Sequence, residues 1–65
     1  MNPRHEKKLI ADHLDHIARL SKRREMVRAH PQPVPKVLTE IHDGAGEDID
    51  RRRLEIAAAI RRLNQ

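Results

Sequence analysis

The sequence contains no cysteine, phenylalanine, tryptophan or tyrosine. Without cysteine there is no disulfide framework, no thiol nucleophile and no Cys-based zinc site. Without aromatic rings there is no stacking platform of the kind that binds single-stranded nucleic acid. No apolar run approaches the roughly 18 residues that mark a membrane span, so no membrane partner is expected. The opening Met1-Asn2-Pro3-Arg4-His5-Glu6 is too polar to read as a secretory signal. Hydroxyl side chains are limited to Ser21 and Thr39. Gly44-Ala45-Gly46 lacks the dinucleotide-binding spacing, and no strand precedes it. The expectation is a non-enzymatic protein without a cofactor.

At 65 residues, one small domain is the ceiling. The bulky apolar supply is six Leu, six Ile, three Val and two Met. That core is marginal for a lone chain, and small domains in this position add disulfides, metal or a partner surface. With disulfides excluded, self-association as a dimer or docking on another macromolecule is expected.

The periodicity predicts an all-α fold. A long helix spans about residues 3–29, with Asn2 as its cap and Pro3 at its first position. Leu9, Ile10, Leu14, Ile17, Leu20 and Val27 form its apolar stripe. Three prolines over residues 31–35 make a stiff elbow. A short helix is expected over 35–43, with Val37, Leu38 and Ile41 inward, then a glycine turn at 44–46. Glu47, Asp48 and Asp50 would open a last helix over 47–64, where acids suit the positive end of the dipole. Its stripe would be Ile49, Ile56, Ile60 and Leu63, with Leu54, Ala57 and Ala58 on a second face. The pieces would pack as a small bundle completed by a second chain or a partner.

The net charge of +4 is unevenly placed. Arg19, Lys22, Arg23, Arg24 and Arg28 oppose Glu25 alone, so the excess sits at the end of the first helix. This cluster is the candidate site for an acidic protein or for phosphates, although cations here also complement the helix dipole. Glu6, Arg24 and Arg28 fall on the apolar stripe. Two antiparallel copies of the first helix would then meet through Ile10, Leu14, Ile17 and Leu20, with Glu6 of one chain against Arg24 of the other.

Five histidines are present. His13 and His16 lie one turn apart, but one faces the stripe and the other the polar side, so they are weak metal candidates and no metal is expected. The segment 35–64 has helix-turn-helix proportions, which would put Arg51, Arg52 and Arg53 near the start of a recognition helix. An ordinary helical hairpin explains the same residues with fewer assumptions. Arg4-His5-Glu6-Lys7-Lys8-Leu9, Met26 and Val37-Leu38-Thr39-Glu40-Ile41 resemble the first half of the small helical repressors that sense copper, nickel or formaldehyde. The cysteine that opens that family's second helix is missing, so no membership is assigned.

The leading functional expectation is a small cytoplasmic regulator, inhibitor or adaptor that binds protein through helix faces and its arginine-rich end. A dimeric nucleic-acid-binding regulator is the alternative, and a structural subunit of a larger assembly the second alternative. Size and composition suit a bacterial, phage or plasmid accessory protein.

Overall fold

Asn2 and Pro3 start the first helix as their chemistry requires. The Asn2 side-chain oxygen accepts from the Arg4 amide at 3.0 Å, which satisfies one of the donors a helix start leaves open. In the computed structural model, which describes residues 2–65, α1 spans Pro3–Arg28 and α2 spans Lys36–Leu63. The proline-bearing elbow joins them, and Pro35 caps α2 by accepting the Leu38 and Thr39 amides at 3.0 and 3.2 Å. The described residues contain no strand. The two helices pack antiparallel into a rod 49 × 14 × 13 Å.

The architecture has one helix fewer than expected. No turn forms at Gly44–Gly46, and neither glycine has positive φ. The expected short helix over 35–43 and last helix over 47–64 are one continuous α2. Each helical glycine costs about 1 kcal/mol against alanine. The seam between the helices offsets that cost. Ala45, between the glycines, is buried, and so is Ile49 one turn later. A break here would put both out of register with α1.

That register is a heptad. Positions 6, 10, 13, 17, 20, 24 and 27 of α1 alternate steps of four and three, and every one is buried or half-buried. Positions 38, 42, 45, 49, 52, 56, 59 and 63 of α2 do the same. This is the seam of a two-stranded antiparallel coiled coil. Its residues are unusually mixed: Ile10, Ile17, Leu20 and Val27 share α1 with Glu6, His13 and Arg24. On α2, Leu38, Ile49, Ile56 and Leu63 alternate with His42, Ala45, Arg52 and Ala59.

Several expected orientations change accordingly. Leu14, Val37, Ile41 and Ile60 lie outside the seam and are exposed, whereas Leu38, Ile49, Ile56 and Leu63 point in. Leu54, on the second face of α2, is 71% exposed. Among the described residues, the buried apolar ones are Val27, Ala45, Ile49 and Ala59.

Candidate functional site

The seam uses its polar positions as cross-links. Near the open end of the hairpin, Arg62 Nε donates to Glu6 Oε1 and Arg62 Nη2 to Glu6 Oε2, both at 3.0 Å. Planar guanidinium on planar carboxylate is the strong bidentate form of an ion pair. Glu6 is 5% exposed. The Arg62 hydrogen bonds hold its carboxyl below the ordinary glutamate range, outweighing burial, and the Arg62 charge adds to them. Arg62 is raised in turn by the same bonds.

This pair gives Glu6 a partner within its own chain. Glu6 does not wait for Arg24 of a second copy; Arg62 of its own chain occupies both oxygens. Ile10, Ile17 and Leu20, expected on a contact between copies, face α2 instead. Of that apolar set only Leu14 stays exposed, at 55%.

Two further cross-links join arginine to histidine. Arg52 Nη1 lies 3.1 Å from His13 Nδ1. Arg28 Nε donates to His42 Nε2 at 3.1 Å, while His42 Nδ1 lies 3.2 Å from Asp43 Oδ1. Arginine can only donate, so each contacted ring nitrogen must accept. His13 is thereby committed to Arg52, and His16 is exposed on a different side. The described residues hold no group of three or more His, Cys, Asp or Glu placed for a metal ion.

The basic cluster divides. Arg24 turns inward, and its guanidinium lies 3.2–3.4 Å from where a Gly46 Cβ would stand. Its Nε is buried without a hydrogen-bond partner among the described residues. Arg28 reaches His42, and Arg19 pairs with Asp15 at 2.7 Å. Lys22 and Arg23 remain exposed. Arg51–Arg53 lie in mid-helix, so no recognition helix starts there. Asp48 and Asp50, expected as first-turn acids, instead face Arg52 and Arg53 at 3.3 and 3.9 Å.

The hairpin has two sides flanking the seam. One carries heptad positions e and b of both helices, the other g and c. Met26, Val37 and Ile41 are exposed on the g/c side at the elbow end, where Arg23 also lies. Next to the elbow is an open depression of about 290 Å³ lined by Val27, Arg28, Gln32, Val34, Thr39 and His42. No described helix is long and apolar enough to cross a membrane. Compared with known proteins, the chain matches no family model, no curated protein and no solved structure.

Sequence reasoning missed the continuous α2. The signal was the uninterrupted four-three alternation from Leu38 to Leu63, which passes through Ala45. It was hidden because four of its positions hold His42, Ala45, Arg52 and Ala59 rather than large apolar residues.

Proposed function

We propose that this chain is a non-enzymatic helical hairpin that works by binding a protein, as a regulator, inhibitor or adaptor. The observation that supports it is the exposed apolar group Met26, Val37 and Ile41 at the elbow end, beside the free cations Lys22 and Arg23. Exposed apolar side chains bordered by charge mark contact surfaces. The partner surface that suits them is apolar with an acidic rim. The apolar contacts would supply affinity, and the cations would set approach rate and orientation.

The test is capture of partners on the immobilised chain, with Ile41→Glu and Lys22→Glu/Arg23→Glu variants alongside. Ile41 is exposed, so its variant should keep the helical circular dichroism of the parent. A partner that is protein, lost on Ile41→Glu and weakened on the charge reversal, supports the proposal. Material absorbing at 260 nm that is stripped steeply by salt would overturn it for the nucleic-acid alternative. The chain's own lack of Trp and Tyr makes that band easy to see.

A further inference from the structure

The two glycines of α2 stand in different surroundings. A Cβ on Gly46 would lie 3.2 Å from Arg24 Cζ, so a contact within this chain bears on that glycine. A Cβ on Gly44 would meet nothing within 4 Å. Gly44 is exposed in mid-helix, and its φ is not positive. Alanine there would suit the helix better by about 1 kcal/mol. Neither the backbone conformation nor any neighbour among the described residues requires glycine at position 44. The remaining use of a bare backbone is close approach by another molecule.

Its place on the surface agrees. Gly44 sits at heptad position c of α2, one turn from Ile41 and two from Val37. Arg28 reaches His42 and Arg24 lies against Gly46, so Met26 of α1 is level with Gly44. The glycine is thus a flat spot bordered by the exposed apolar side chains Met26, Val37 and Ile41. We infer that a helix of the protein partner lies over this patch with its backbone against Gly44. This rests on the elbow site proposed above and gives the form of what binds there.

Charge fixes the chemistry of that helix. The α1 border of the patch carries Arg19, Lys22 and Arg23, of which only Arg19 has an ion-pair partner, Asp15, among the described residues. The outer border, beyond Gly44 on α2, carries Glu40 and Glu47, both exposed. Between the borders Asp48 is drawn to Arg52 in the seam at 3.3 Å, and Arg51 ends the patch two turns from Gly44. The matching helix therefore has small and apolar residues down its middle, acids along the edge over α1 and bases along the edge over α2. Val37 to Arg51 spans about 21 Å at 1.5 Å per residue, so about four turns of the partner are engaged.

Fluorescence anisotropy on the full chain tests this with labelled, lactam-constrained peptide helices of that length. One probe has a Leu stripe with Ala at its centre, Glu along one edge and Lys along the other. The second has Lys along both edges. The Glu/Lys helix should bind the parent, and the all-Lys helix should bind roughly tenfold more weakly. Gly44→Ala should raise the dissociation constant roughly tenfold, and Gly44→Gln further, because an added side chain forces the backbones apart. The melting temperature of Gly44→Ala, read by circular dichroism, should rise, which separates weaker binding from a weaker fold. Ile41→Glu should abolish binding, while Leu14→Glu, on the opposite side, should leave it unchanged. Failure of the Glu/Lys helix to bind overturns the inference, as does equal binding of the two probes or of parent and Gly44→Ala. In protein capture, a partner lost on Ile41→Glu but kept by Gly44→Ala overturns this inference and leaves the elbow site standing. Capture that ignores Ile41→Glu overturns both.

Discussion

At the scale of single residues, the polar members of the seam decide how the hairpin responds to its surroundings. Glu6 has a carboxyl held below its ordinary value by Arg62. The linkage sign follows. The stabilisation is complete above the ordinary glutamate value of about 4.3, declines as pH falls below it, and is gone below the folded-state value. Melting temperatures of the parent and Glu6→Gln, measured between about pH 6 and pH 2, should start apart and converge in acid. Curves that remain parallel would show that Glu6 contributes by packing alone. The two glycines separate in a similar way. A Cβ on Gly44 would meet nothing within 4 Å, so Gly44→Ala should stabilise by about 1 kcal/mol. On Gly46 the Cβ would stand 3.2 Å from Arg24 Cζ. That guanidinium is the far end of a flexible chain and can yield, so Gly46→Ala should still stabilise, but by less. Denaturant midpoints of the two variants check the order.

At the scale of the helices, α1 was legible from the sequence almost to its ends. Its cap, its proline and its stripe all act locally, within a turn or two of each other. Helix α2 was not. Gly44 and Gly46 are the strongest local punctuation within residues 36–63, and local rules end a helix there. The competing information is the seam register, which spans the whole helix and pays out only against α1. The same distinction predicts which substitutions matter. Ile49 is on the seam at 4% exposure, so Ile49→Ala should cost about 2 kcal/mol, the lower end for large-to-alanine changes because the surrounding core is thin. Leu54 faces away, and Leu54→Ala should fall within about 0.5 kcal/mol of the parent. Chemical denaturation of both variants would reveal a helix rotated from this register by reversing their order.

At the scale of the whole molecule, two helices bury little. The buried apolar set is Val27, Ile49 and two alanines, while Leu14, Met26, Val37, Ile41, Leu54 and Ile60 face outward. Self-association, expected of so thin a core, would cover part of them, and the melting temperature of the parent should then rise with protein concentration. Scanning calorimetry over a wide concentration range measures this.

Composition and local patterning by themselves determined the all-α class, the start of α1, the proline elbow and the concentration of positive charge near it. Each of these depends on residues close in sequence, where propensity, proline geometry and charge act directly. Only the packing of α1 on α2 decided that the second helix runs unbroken through its glycines. It also turned Glu6 toward Arg62 of its own chain, drew Arg24 and Arg28 out of the basic cluster and left Leu14 outside. Those outcomes depend on pairs far apart in sequence, whose energies appear only when two faces meet in one register.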